Sequence, residues 1–400
     1  MADTLESVMT KAYDDLKDEL HLKRNHSLVK TYILEAHSSS GFSHNALLNL
    51  LREIFQESHG ARRLAATVSE TQEENLFTVS GSRAKGEFFF FIDTADSRFW
   101  LAHAISKSDT SALVIDQMLG GSSNIDSAWM PMELLKYIQR LGTPRGLALD
   151  FDRRYMDRPF IRRGKAAVLD AEESSLARHE KSDISTGDHF EYVKMQLWGE
   201  GTNRILDALS DAGLTNSTTI SKVRLRTEAE SNSDLFSLAD IKYDGKITGR
   251  GSSFAVYNGL LTEVLNRYAT AVRSAEDKFR IHWRAESGRG KMFGQPFYIR
   301  LGPNGVPNLE HFCAKLFSGA EPFKLMGVPI RRNDNYYTVS AVDLHINQRI
   351  DFEVSRNTLS IFLPQKSCGN SLLRIYTNLQ HFYSSDVKAI DGSGSGVFTF

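Results

Sequence analysis

Cysteine is scarce in this chain. Cys313 and Cys368 are its two thiols, too few for a disulfide framework, and no Cys-x-x-Cys pair offers half of a zinc knuckle or a redox centre. That usage fits a reducing compartment, so a cytoplasmic location is expected. Long apolar runs are lacking too. Nothing approaches the roughly 18 apolar residues that suggest a membrane span, and the most apolar stretch, Phe88 to Ile92, reads as a buried strand. Residues 1–23 are charged throughout, without the apolar core of a secretion signal. No sign of charge predominates: 48 Lys and Arg face 49 Asp and Glu. That excludes a histone-like polycation. It leaves room for a local basic patch, because binding follows the distribution of charge rather than its sum.

Enzyme signatures are also missing. The sequence has no HExxH, no GxSxG and no GxxxxGK[ST], and its 12 histidines are scattered. A lone one such as His103 reads as a core residue.

What the sequence does contain is regular patterning. Residues 4–22 place Leu5, Val8, Met9, Ala12, Leu16 and Leu20 at helical spacing. This amphipathic helix either packs on its own domain or serves as a partner-binding arm. Residues 28–37 read as a strand, and 43–55 as a helix capped by Ser43. Residues 74–94 form two strands about a Gly-Ser turn, 98–105 another strand, and 110–119 a short helix. Pro131 opens a helix over 131–141, after which Leu147-Ala148-Leu149 begins a buried strand. A strand at 191–199 and a helix at 202–213 restart the pattern, which suggests a repeated βαββ unit. The most regular helix is 254–279; hairpins follow, then a closing helix over 370–385.

The fold class expected is therefore α+β, with two lobes of mixed or antiparallel sheet flanked by helices. The expected division is an N-terminal lobe at 1–157, a charged, Ser-rich linker at 158–188 and a C-terminal lobe at 189–400.

The strongest chemical signal is basic. Between Arg153 and Lys165 stand Arg153, Arg154, Arg158, Arg162, Arg163 and Lys165, with Tyr155 and Phe160 among them. Arginine's planar fork suits phosphate, and aromatic rings can stack on unpaired bases. Further cations sit on glycine-rich turns: Arg83 and Lys85, Arg289 and Lys291 beside Phe293, and Lys246 with Arg250. Glycine allows close approach of backbone to a phosphate. The alternative is a solvated arginine-rich linker with hairpin tips that are basic by chance.

Two acids precede that run. Asp150 and Asp152, at i and i+2 on a strand, point the same way and could share a divalent cation. Glu35, at a strand end before a helix, resembles the glutamate of a TOPRIM domain, although Ala36 stands where that family has glycine. The resemblance implies Mg²⁺-dependent phosphoryl transfer, as in a nuclease, through Glu35, Asp150 and Asp152. Against it, both aspartates could simply pair with neighbouring arginines.

The expected function is nucleic-acid binding, DNA or RNA, within a larger assembly such as a prokaryotic antiviral-defence or genome-maintenance system. It needs no cofactor and no membrane, and implies a protein partner or self-association. The alternatives are the Mg²⁺-dependent enzyme and a structural subunit that binds only protein.

Overall fold

The computed structural model describes residues 1–18, 28–38, 42–56, 66–83, 86–152, 156, 192–199, 204, 211, 218–286 and 289–398. Two sheets organise them. The first contains β1 (Val29–Ala36), β2 (Thr67–Glu70), β3 (Leu76–Arg83), β4 (Gly86–Asp93), β5 (Phe99–Ile105), β6 (Ile125–Ser127), β7 (Thr143–Asp152), β8 (Tyr192–Trp198), β9 (Thr219–Ala229), β10 (Asn232–Lys242) and β11 (Lys246–Gly251). Its order is β2-β3-β4-β5-β1-β11-β10-β9-β7-β8, with β6 also on β1. The second contains β12 (Arg280–Glu286), β13 (Arg289–Phe293), β14 (Phe297–Arg300), β15 (Leu325–Asn333), β16 (Tyr336–Asp343), β17 (Gln348–Ser355), β18 (Thr358–Pro364) and β19 (Lys388–Ile390). Its order is β13-β12-β18-β17-β16-β15, with β14 joining β18 to β19. The protein is an α+β fold with two sheet lobes.

The expected boundary at 158–188 does not separate the sheets. β7, before it, hydrogen-bonds to β8 and β9, after it. The first sheet therefore continues to Gly251, and the change of sheet comes at the long helix, Phe254–Phe279. A linker rich in charge looks the same in sequence whether it joins two domains or two strands of one sheet. The helix of the second suggested βαββ unit, at 202–213, falls mostly outside the described residues.

The long helix matches its expected bounds because its signals agree. Ser253 caps it by accepting from the Val256 amide at 3.4 Å, and Tyr257, Leu261, Val264, Tyr268, Val272 and Phe279 are buried along it. It and the C-terminal helix, Gly369–Phe382, share one core with both sheets. The opposite face of the first sheet packs on helices His44–Gln56 and Ser108–Gly121. β4 serves both sides: Phe88, Phe90 and Ile92 face the second core and Phe91 the first, which is why its sequence is apolar without alternation. The N-terminal helix, Ala2–Asp18, sends Leu5 and Met9 into the main core. Glu6 accepts from the Phe254 amide at 3.1 Å, so the helix packs on its own chain.

His103 is a core residue, as expected. It is fully buried on β5, with Nδ1 3.0 Å from Thr31 Oγ1. Burial lowers its pKa to about 4. The unfolded chain takes up this proton near pH 6.5 and the folded one does not, so His103 supports the fold above pH 6.5 and that support is lost as pH falls. The shift corresponds to about 3 kcal/mol between pH 7 and pH 4. Urea denaturation of wild type and His103→Gln at both pH values should show the variant losing less stability on acidification.

Candidate nucleic-acid interface

Where the two lobes meet, the core is charged. Every residue of the C-terminal helix from Gly369 to Phe382 is buried, including Asn370, Arg374, Asn378 and Gln380. Buried charge requires partners, and Arg374 has them. Its guanidinium donates to Asp126 Oδ2 and to Asp343 Oδ1, both at 2.5 Å, and to the Phe323 carbonyl at 3.0 Å. Lys324 Nζ reaches Asp126 Oδ1 at 3.1 Å, and Ser371 donates to Asp343.

Glu35 belongs to the same region. It is fully buried near the end of β1. Its carboxylate accepts from Arg98 Nε at 2.7 Å and from Cys368 Sγ at 3.2 Å, and lies 2.7 Å from His345 Nε2. Arg98 also grips Glu276, which in turn pairs with Arg280 at 2.9 Å. Burial alone would raise the Glu35 pKa. Hydrogen bonds from His345 and His37, with the charges of His345 and Arg98, hold it well below the usual carboxylate range.

Glu35, His345 and Cys368 offer three donor types that metals use, as do His37, Glu276 and Cys368. In this structure the donors are engaged with one another and with Arg98. Ligands at zinc distance in a tetrahedron stand roughly 3.4 Å apart, whereas His345 and Glu35 are in direct hydrogen-bond contact at 2.7 Å. The Arg98 guanidinium lies 3.4 Å from the Cys368 sulfur, occupying the cation's role. Burial and then the Glu35 charge push the Cys368 thiol well above its usual value, so in this cluster it stands as a neutral hydrogen-bond donor to Glu35. Four carboxylates, Glu35, Glu276, Asp126 and Asp343, meet four cations, Arg98, Arg280, Lys324 and Arg374. The cluster is an ion-pair junction.

The expected acidic site does not assemble. β1 is separated from β7 by β11, β10 and β9, four strand spacings, or roughly 19 Å along the sheet. Glu35 and Asp150 therefore cannot share one ion. Asp150 lies 3.2 Å from His381 Nδ1, whose ring stacks on Tyr243 at 3.7 Å. Asp152 ends β7, opposite Tyr192; its side chain lies outside the described residues. So do Arg153, Arg154, Tyr155, Arg158, Arg162, Arg163 and Lys165, together with Lys85 and the side chain of Arg83. The basic turns occupy different sheets: Lys246 and Arg250 belong to β11, Arg289 and Lys291 to β13.

β12 and β13 form a two-stranded ribbon. Among the described residues, β12 joins β18 of the second sheet through Arg280 and Ile281, and from His282 to Phe293 the two strands pair with each other. Gly294, at φ +82°, lets the returning chain pass close to the Arg280 carbonyl. The pairs His282–Phe293 and Arg284–Lys291 share one face, on which Arg289, two residues before Lys291, also stands. On it, Phe293 stacks with His282 at 5.6 Å, while Arg284 and Lys291 lie 5.3 and 5.0 Å from its ring. Phe293 thus packs neither freely in solvent nor under the sheet, where Phe297 meets Phe279 instead. It seats two cations. The opposite face carries the cross-strand pair Trp283 and Met292, 69% and 57% exposed. Trp283 was not singled out in the sequence; strict alternation along His-Trp-Arg-Ala-Glu places it opposite the basic face, and that signal was available.

Among the described residues, no helix is long and apolar enough to cross a membrane. In comparison with known proteins, the chain is 26% identical over 394 residues to uncharacterized protein MJECL33 of Methanocaldococcus jannaschii, an alignment covering 96% of this chain and 91% of the relative. A family model described as MJECL33-like protein matches residues 1–395. From end to end of that match, through both sheets and the charged junction, the chain belongs to the MJECL33-like protein family.

Proposed function

We propose that this protein binds nucleic acid through the β12–β13 ribbon, with unpaired bases stacking on Trp283 and backbone phosphates held by Arg284, Arg289 and Lys291. The observation that carries the reading is Trp283 itself. A tryptophan left 69% exposed on a ribbon whose other face holds three cations combines a stacking platform with a phosphate-binding edge. A duplex, whose bases are already stacked, gains little from such a platform, so single strands are the preferred ligand. The Mg²⁺-dependent alternative has less support, since its acids stand apart.

A place in a larger assembly rests on a different surface. Met326, Val328 and Ile330 on β15, with Val342 opposite Met326 on β16, form an exposed apolar stripe. Pro329 lies within this edge strand, which disfavours strand addition at its edge and leaves the sheet face for a protein partner.

The test is Trp283→Ala. Losing one base–aromatic stack is worth about 1–3 kcal/mol, so single-strand affinity should fall by roughly fivefold to 150-fold with little change on duplex. The exposed side chain leaves the melting temperature unchanged. Equal affinity of variant and wild type for single strands, measured by fluorescence anisotropy, removes the ribbon from the interface.

A further inference from the structure

Strands β15, β16 and β17 turn one face of the second sheet inward and leave the other to solvent. The inner face sends Leu325, Val339, Ala341, Ile350, Phe352 and Val354 into the main core. Alternation therefore puts Met326, Val328 and Ile330 of β15 on the outer face. Val342, Ser340 and Thr338 of β16 stand opposite them in that order. Arg349, Asp351 and Glu353 of β17 stand opposite those in turn. The outer face is a grid of three columns: one apolar, one mainly of small hydroxyl side chains, one charged. Val328, in the middle row, is 77% exposed and Met326 61%. Single exposed apolar residues are ordinary, but Met326, Val328, Ile330 and Val342 adjoin one another on one sheet face.

The order within the columns points to what covers them. A second copy can be laid face to face by a twofold axis that runs across the strands, along the row Val328, Ser340, Asp351. That rotation reverses the strands and sets each column over its own counterpart. Val328 then meets Val328 of the second copy on the axis, and Met326 meets Ile330 of the second copy, so apolar side chains lie on apolar ones. The charged column runs from Arg349 through Asp351 to Glu353. The same rotation therefore sets Arg349 over Glu353 of the second copy, and does so twice. Asp351 meets its own counterpart on the axis, and each is already paired with the adjacent Arg349 at 3.1 Å. A twofold axis along the strands would instead lay the apolar column on the charged one. The grid is its own complement in one orientation, as an isologous interface requires. Sheets packed in this way keep their strands within about 30° of each other and about 10 Å apart, within reach of long side chains.

We infer that this face joins two copies of the chain as a twofold dimer, with β15 lying antiparallel across β15 of the second copy. The inference names the partner for the face read above as protein-binding, and it does not depend on the ribbon. Three columns of three side chains are fewer than the roughly 20–30 residues that each side of a standard interface contributes. The dimer should therefore dissociate on dilution.

The experiment is sedimentation equilibrium of the full chain over a range of concentrations, without nucleic acid. Wild type should show a monomer–dimer equilibrium. Val328→Asp sets two carboxylates against each other on the axis and should weaken the dimer by roughly 100-fold or more. The site is exposed in the single chain, so the circular dichroism of the variant should match that of wild type. Arg349→Glu alone opposes Glu353 of the second copy and should weaken the dimer about tenfold. Adding Glu353→Arg should restore it. Within one chain these two positions are four residues apart on β17, about 13 Å, too far to pair, so rescue can come only from contact between copies. A wild type that stays monomeric at every concentration overturns the inference and leaves the face to a different protein. A dimer that Val328→Asp leaves intact overturns it and removes this face from self-association. A dimer broken by Val328→Asp but not rescued by the charge exchange overturns the antiparallel register. Strand binding through Trp283 is measured separately, so either reading can fail alone.

Discussion

Replacing Arg374 by methionine is expected to lower stability by about 3–5 kcal/mol, the usual cost of removing one partner from a buried ion pair. The side chain is fully buried and divides its guanidinium between Asp126 and Asp343. Methionine fills much of the same volume, so the loss is electrostatic rather than a cavity. Asp126 would keep Lys324 and Asn370, and Asp343 would keep Ser371 and the His345 amide. Neither set replaces a full guanidinium. Urea denaturation gives the shift in midpoint, and an unchanged slope would show that the unfolded state is not altered. A loss under 1 kcal/mol would mean that the junction contributes little to holding the lobes together.

Glu35→Gln is the second large effect, at about 2–3 kcal/mol for loss of charge-assisted hydrogen bonds. Glutamine keeps the shape but leaves Arg98 with Glu276 as its one carboxylate among the described residues and offers His345 a weaker partner. The sign of the pH dependence follows from the depressed pKa of Glu35. Its contribution is complete above the unfolded value of about 4 and is lost as pH falls below it. The variant should therefore lose less than wild type between pH 6 and pH 3. Below its lowered melting temperature it should bind single strands as wild type does. Abolished Mg²⁺-dependent cleavage with an unchanged melting curve would instead make Glu35 catalytic.

Much of the fold was legible because its signals are local. Ser43 and Ser253 cap the helices they precede, and the buried positions of 254–279 recur at helical spacing. Strands β3 to β5 follow from β-branched and aromatic content. What could not be read locally was partnership. The pairing of β7 with β8 and β9 spans the stretch that looked like a domain boundary. Glu35 meets His345 and Cys368 across some three hundred residues of chain, so its role as an ion-pair partner leaves no sequence pattern near it. Lys30 is similar: in sequence it is one lysine in an apolar strand, and only the register against β11 brings Lys246 beside it. The ribbon lay between these cases. Its glycines and cations were visible, but the side on which Trp283 stands depends on counting alternation from a known turn.

The most direct test of nucleic-acid binding is a titration of the wild-type chain with a labelled single strand at several salt concentrations. Three ribbon cations engaged with phosphates should give a slope of log K against log salt of about −2, from roughly −0.7 per contact on single strands. Arg284→Ala combined with Lys291→Ala should flatten that slope by more than one unit. No binding at low salt, or binding whose strength does not depend on salt, would contradict the proposal and leave the exposed Trp283 and Met292 to a protein partner.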